Sequence, residues 1–189
     1  MLISNEWLKD YVNVDQSVQA LAERITRTGI EVDDIIDYTK DIKKLVVGHV
    51  LSKTPHPDAD KLNICQVDLG EEEPVQIVCG APNVDEGQHV IVAKVGGRLP
   101  GGVKIKRAKL RGERSEGMIC SLQEIGISSH VTPKNYESGI YVFPEAVKPG
   151  TDALEALYLN DQVMEFDLTP NRADALSMIG TGYEVAALY

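Results

Sequence analysis

The stretch GVKIKRAKLRGERSEGMICS, Gly102–Ser121, is the part of the chain whose reading settles the rest. Lys104, Lys106, Arg107, Lys109, Arg111 and Arg114 place six basic groups within eleven residues, and only Glu113 opposes them there. Val103–Leu110 alternates as a strand does. Lys104, Lys106 and Ala108 share one face; Val103, Ile105, Arg107 and Lys109 share the other. The basic groups therefore cannot all lie on one strand face. Some must wrap off the strand end into a turn around Gly112, which Arg111 and Arg114 continue. Such a patch tracks phosphates and binds them in a salt-dependent way. The competing reading is a solvated edge strand whose lysines discourage aggregation. Ser115 and Met118 stand three apart, beside Gly117. A hydroxyl and a flexible thioether in that place can meet a splayed base, or else cap a turn and fill the core.

Working outward, residues 45–145 carry short β-rich runs between turns: Leu45–Leu51, Leu62–Leu69, Val75–Cys79, His89–Val95, Val103–Leu110, Gly117–Ser121 and Ile140–Phe143. Pro55, Pro57, Gly70, Pro82, Gly96–Gly97 and Pro100–Gly102 punctuate them. Strands at this spacing predict a small sandwich or barrel. The flanks differ. Before the middle, Ser4 caps a short helix with Trp7, Leu8 and Tyr11. Asp15 then caps a second helix, whose Val18, Leu21, Ala22 and Ile25 fall at i, i+3, i+4, i+7 before Gly29. Ile30–Tyr38 reads as a strand. After the middle, Thr151–Leu159 is a short helix and Val163–Leu168 a half-buried strand. Ala173–Tyr189 is a helix with Leu176, Ile179, Tyr183 and Ala186 at helical spacing, capped by Asn171 or Asp174. It ends without a cap, as if cut from a longer protein. The expected fold is thus mainly β with α+β flanks. Residues 1–39 and 151–189 make one discontinuous α+β domain, and a β-rich domain of residues 40–150 is inserted into it.

Composition limits the function. The 189 residues carry a net charge of −10, which argues against nucleic acid until it is counted by segment. Residues 40–150 hold 15 Lys+Arg against 14 Asp+Glu, and the flanks hold 4 against 15. The acid lies outside the middle, so the local patch decides. No apolar run approaches the roughly 18 residues of a membrane span, and no signal peptide opens the chain. Three cysteines, Cys65, Cys79 and Cys120, without a C-x-x-C, fit a reducing cytoplasmic compartment.

Three strings carry a resemblance. K-x-K-x-A-K-L-R-G-x-x-S-x-G-M-I-C-S is preceded by H-P-D-A-D-K-L (His56–Leu62) and V-C-G-A-P-N (Val78–Asn83). Together they resemble the tRNA-binding domain of methionyl-tRNA synthetases, of free-standing tRNA binders and of bacterial phenylalanyl-tRNA synthetase beta subunits. S-x-x-W-L-K-D-Y (Ser4–Tyr11) and F-D-L-T-P-N-R-A-D-A-L-S-M-I-G (Phe166–Gly180) are similar to the N-terminal part of the last of these only. The resemblance implies an OB-fold barrel contacting structured tRNA through Lys61, Lys104, Lys106, Arg107, Lys109, Arg111, Arg114, Ser115 and Met118. It also implies a heterotetrameric, ATP- and magnesium-dependent ligase as the parent, with the alpha subunit and the remaining beta-subunit domains as partners. The catalytic centre, the editing site and a magnesium site are expected in parts outside these 189 residues. The fragment itself is expected to hold no catalytic residue, metal or cofactor, and to touch no membrane.

Weaker candidates remain. His56, Asp58 and Asp60 could be a metal fragment, but prolines on both sides of His56 favour a rigid turn. Cys65 and Cys79 lack the partners of a zinc site, and Cys120 has no activating neighbour. No G-K-[ST] follows the paired glycines. Aromatic residues are only 5%, so recognition should rest on phosphates and shape more than on stacking. Arg172 pairs either with an acid of its own domain or with a partner subunit. The alternative function is an interaction scaffold, in which the acidic flanks pack on other parts of the synthetase.

Overall fold

The flanks meet in one antiparallel sheet. The computed structural model describes Met1–Tyr189, and the chain divides into two compact units, residues 1–40 with 160–189 and residues 41–159. In the first unit, β1 (Leu2–Ser4), β2 (Glu31–Asp37) and β11 (Gln162–Asp167) lie in the order β1-β11-β2. The strand from the far end of the sequence is central, with Ile3 opposite Met164 and Ile36 opposite Val163. Its alternation is as expected: Met164 and Phe166 are buried while Glu165 and Asp167 face solvent. Helix α1 (Asn5–Leu8) starts at Ser4, whose Oγ accepts from Trp7 N at 3.0 Å. Helix α2 (Val18–Thr28) buries Val18, Leu21, Ala22 and Ile25 and ends at Gly29, with φ of 117°. Its cap is Ser17, not the expected Asp15. The Ser17 hydroxyl accepts from Ala20 N, three residues on, where a cap must reach.

The last helix corrects two expectations. A 3-10 turn occupies Pro170–Ala175, and α4 runs over Met178–Leu188 from a Ser177 cap that accepts from Gly180 N at 3.0 Å. Neither Asn171 nor Asp174 caps it. The face chosen by periodicity is the wrong one. Leu176, Ile179 and Tyr183 are 61%, 56% and 75% exposed, while Met178, Thr181, Gly182 and Val185 are buried. Small residues explain this. A Cβ on Gly180 would lie 1.8 Å from Asp174 O, and one on Gly182 would meet Tyr11 Cβ at 3.0 Å. Gly182 lets the buried face approach Tyr11 closely, and Gly180, on another side of the helix, makes room for the Asp174 carbonyl of the preceding turn.

The central unit is β-rich. Its main sheet follows the order β10-β6-β3-β4-β5, built from β3 (Lys43–Pro55), β4 (Asn63–Asp68), β5 (Val75–Cys79), β6 (His89–Leu99) and β10 (Gly117–Ile119), with β7 (Val103–Lys104) on the far end of β6. All pairs are antiparallel. The two end strands of this path are also linked, since Glu116 N donates to Gln76 O at 2.8 Å. Leu45, Val47, Ile91, Ala93, Leu99, Ile105, Cys120 and Leu122 form one core cluster; Val50, Cys65, Val67, Ile77, Val90 and Val92 anchor another. Ile140–Phe143 makes one isolated bridge, Val90 to Val142, in place of the expected strand.

Val103–Leu110 is not one strand. After β7 the chain dips so that Ile105 is buried, with its N donating to Gly97 O and its O accepting from Gly96 N. It re-emerges as β8 (Ala108–Leu110), paired with β9 (Glu113–Ser115) in a separate hairpin. A core position inside the basic run interrupts the alternation. The C-terminal boundary of the unit also differs from residue 150. Helix α3 (Ala153–Ala156) buries Ala153 and Leu154 in the central core, and Val47 exchanges backbone hydrogen bonds with Gly150 and Thr151, each 2.8 Å. The strand that enters the unit is thereby tied to the segment that leaves it.

Candidate nucleic-acid interface

The β8–β9 hairpin carries most of the basic side chains. Its two-residue turn is Arg111-Gly112, with φ of 51° and 97°, and Leu110 faces Glu113 across it. Positive φ at both central residues is the primed turn that matches strand twist, and glycine at the second position makes it accessible. The turn thrusts Arg111 outward between Lys109 on β8 and Arg114 on β9. All three are exposed, as are Lys104 on β7 and Lys106 and Arg107 in the connecting segment. Arg107 is the member engaged by an acid, Glu116, at 3.3 Å. Lys61, Lys104, Lys106, Lys109, Arg111 and Arg114 take part in no ion pair. Their charges face solvent, available to phosphates.

Three neutral or buried side chains hold this hairpin in place. Gln76 on β5 donates from Nε2 to Glu113 Oε2 at 3.0 Å and to Arg114 O at 2.9 Å. Ser115 is only 3% exposed; its hydroxyl accepts from Val78 N at 3.1 Å and donates to Gly117 O at 3.0 Å. The expected RNA-contacting hydroxyl is thus committed inside, clamping β9 to β5. His56, 5% exposed, accepts at Nδ1 from Asp58 N and donates from Nε2 to Leu110 O, both at 3.0 Å. The accepting Nδ1 fixes the proton on Nε2. One ring thereby pins the β3–β4 turn, which carries exposed Lys61, to the basic hairpin. The rigid turn expected at His56 is present, and its purpose is this link.

Met118 lies half-buried on β10 and lines a cavity of about 620 Å³ with Leu110, Ala81, Ile140 and Glu124. A second cleft of about 500 Å³ runs along β5 and the hairpin past Lys109 and Arg114. No three His, Cys, Asp or Glu side chains converge as metal ligands would. Burial pushes the Cys120 thiol up to about 12 and the Cys65 thiol to about 11, so both stay protonated and unreactive. In the flanking unit, Arg172 binds acids of its own unit, Glu184 at 2.7 Å and Asp174 at 3.1 Å.

Sequence reasoning missed Gln76, Leu110 and Glu124. Gln76 and Leu110 announce nothing by composition. Glu124 had a signal, the S-x-x-E of Ser121–Glu124, whose reciprocal hydrogen bonds form a capping box.

An exposed basic hairpin on a small antiparallel β unit is the frame of a nucleic-acid-binding module, and known proteins place the chain in that class. Residues 45–152 match the family described as "Putative tRNA binding domain", and the chain belongs to that family. Over its whole length it is 99% identical to the phenylalanine–tRNA ligase beta subunit of Staphylococcus epidermidis RP62A and 85% identical to that of Staphylococcus aureus USA300. The chain spans 24% of the length of each of these relatives. Among solved structures, a MetRS-related protein from Pyrococcus horikoshii is 24% identical, with a TM-score of 0.40, over 60% of this chain and 90% of that one. The C-terminal domain of Plasmodium vivax p43 is 24% identical, with a TM-score of 0.41, over 61% of each chain. No helix of the chain is long and apolar enough to cross a membrane.

Proposed function

We propose that residues 41–159 are an accessory tRNA-binding module of a phenylalanine–tRNA ligase beta subunit, built as an OB-type barrel and acting in the cytoplasm. Its task is to add affinity for the tRNA body in support of aminoacylation, and it has no catalytic residue of its own. The ATP and magnesium chemistry of the parent belongs to other regions, and the alpha subunit and the rest of the beta subunit are its partners in a heterotetramer. The barrel reading draws support from the link between β5 and β10, the two ends of the strand path, through Glu116 N and the Ser115 clamp.

The observation that carries the reading is the pinned hairpin. Lys109, Arg111 and Arg114 project from a tight turn, free of ion pairs, and the His56 ring holds the Lys61 turn beside them. Phosphate contacts of this kind position an RNA without reading its sequence. Lys104, Lys106, Arg107 and Met118 extend the contact surface, and Ser115 serves it from inside as a clamp. Binding of tRNA to this chain, titrated at several salt concentrations, tests the reading. Affinity should fall steeply with salt, and either a flat response or no binding at low salt refutes it.

A second reading has an observation of its own. Ile179 and Tyr183 on α4, with Leu176 just before it, are apolar and largely exposed, and exposed patches of that kind mark interaction surfaces. The flanking unit would then be a scaffold that packs on other parts of the synthetase. In that case Ile179→Asp in the assembled enzyme disturbs assembly, and only if scaffolding were the sole role would Lys104, Lys106 and Lys109 changed together to Glu leave tRNA affinity untouched. The two roles use different units and are compatible.

A further inference from the structure

We infer that the cavity between β5, β8 and β10 receives one unpaired guanine base of the bound RNA, with Glu124 reading its edge. The inference rests on the tRNA-binding reading above and adds a base-specific element to it.

Shape comes first. The cavity of about 620 Å³ lies within the roughly 300–1,000 Å³ typical of small-ligand sites. Met118 and Leu110 supply apolar surface, and Ala81 and Ile140 supply more. Flat aromatic rings are held by such walls as well as by stacked aromatics, of which this chain has few. Position comes second. Leu110 lines the cavity and stands on β8 between Lys109 and Arg111. A strand whose phosphates rest on the hairpin therefore has its bases beside the cavity mouth.

Chemistry selects the base. Glu124 is fixed in direction: its Oε2 accepts from Ser121 N at 2.7 Å and from Ser121 Oγ at 2.9 Å. Its Oε1 has no partner within the protein. Gln123 directs its Nε2 to Glu137 O at 3.4 Å, leaving its amide oxygen unused. Both side chains line the cavity, so its polar wall presents acceptors. Burial, with the Glu124 charge adding to it, raises the thiol of Cys79, which lines the same cavity. A carboxylate there repels a phosphate and attracts an edge of N–H groups. Guanine alone among the four RNA bases offers two adjacent donors, N1–H and the N2 amine, on one edge. Adenine and cytosine offer an amine next to an acceptor nitrogen. Uracil offers N3–H between two carbonyls, and those oxygens would face the carboxylate.

The test titrates guanosine, adenosine, cytidine, uridine and inosine monophosphates into the isotopically labelled chain and follows backbone amide shifts. Guanosine monophosphate should saturate, with shifts at Ala81, Met118 and Ser121. Inosine monophosphate, which lacks only the N2 amine, should bind about tenfold more weakly, as should guanosine monophosphate to Glu124→Gln. If Glu124→Gln fails to fold, the inosine comparison still decides, because it leaves the protein unchanged. Unlabelled tRNA should displace the nucleotide, which identifies RNA and not a free guanine nucleotide as the natural source. Equal binding of all five nucleotides, no saturation, or a guanine nucleotide that tRNA does not displace overturns the inference. These outcomes leave the hairpin reading intact so long as tRNA affinity keeps its salt dependence. A loss of that dependence removes the hairpin reading and this inference with it.

Discussion

His56 does by hydrogen bonding what no charge in the patch can do. Its ring satisfies Asp58 N and Leu110 O at once while buried. Removing it breaks two hydrogen bonds to backbone groups of exposed residues, each with a net worth of about 0.5–1.5 kcal/mol. His56→Ala should therefore lower stability by roughly that amount, seen in a urea titration. It should also weaken tRNA binding without touching a single basic residue, because the Lys61 turn is released from the hairpin. Ser115→Ala should give the complementary pattern. Its hydroxyl is engaged by Val78 N and Gly117 O, so stability falls by about 1–3 kcal/mol. Removing a neutral group leaves the slope of tRNA affinity against salt unchanged, and affinity at a fixed salt concentration should also stay that of the unaltered chain. A loss of affinity at fixed salt in folded Ser115→Ala would place the hydroxyl at the RNA after all. The sequence strings contain both His56 and Ser115 but do not show that either is buried. A buried clamp and an exposed contact look alike in a motif, because burial depends on which strand lies beneath.

Among the elements, the β8–β9 hairpin is the one whose geometry matters to binding. Gly112→Ala forces a side chain into φ of 97° and should cost about 1–2 kcal/mol, loosening the hairpin and reducing tRNA affinity together. Reversal of Lys109 and Arg111 to Glu should act differently. Stability should hold, and the slope of log affinity against log salt should drop by roughly 0.7–0.9 for each phosphate no longer neutralised. Filter binding across a salt series distinguishes the two. The turn around Gly112 was legible from the sequence, since glycine follows a basic residue between two short β-prone runs. The break before it was not. Ile105 reads as one more alternating position, and only the packing of Leu99, Cys120 and Leu122 around it draws it into the core. Helix α4 shows the same limit. Periodicity selects the face with large apolar residues, whereas close approach to Tyr11 selects the face that carries Gly182. Exposed Ile179 should accordingly tolerate Asp within about 0.5 kcal/mol in this chain, measured by thermal melting.

For the whole molecule, charge is divided between the units, and so is the response to acid. Hydrogen bonds from Arg172 hold the Asp174 carboxyl below its ordinary range. Asp174 thus contributes stability above the unfolded carboxylate value of about 3.9 and loses it as pH falls through the lower folded value. Unfolding of the flanking unit should steepen on acidification below that value, and Arg172→Met should flatten the acid limb. Circular dichroism at a series of pH values reads both. The division into a β-rich middle and α+β flanks could be seen in composition and strand spacing alone, because charge, glycine and proline all change at the same places. The placement of β11 between β1 and β2 could not. Nothing local in Gln162–Asp167 names its partners, more than a hundred residues upstream.

The backbone tie between Val47 and Gly150–Thr151 has a bearing on the polymer physics of the chain. A flexible excursion from residue 41 to residue 159 would burden the flanking sheet with the closure entropy of a very long loop, growing as the logarithm of its length. Once the middle folds, its entrance and exit are stitched together, and the flanks experience a short, stiff connector in its place. A folded insert thereby lowers the entropic cost of pairing β11 with its two neighbours. Such a segment is also portable: a unit whose two ends already meet can be spliced into an unrelated surface turn without prying that turn apart.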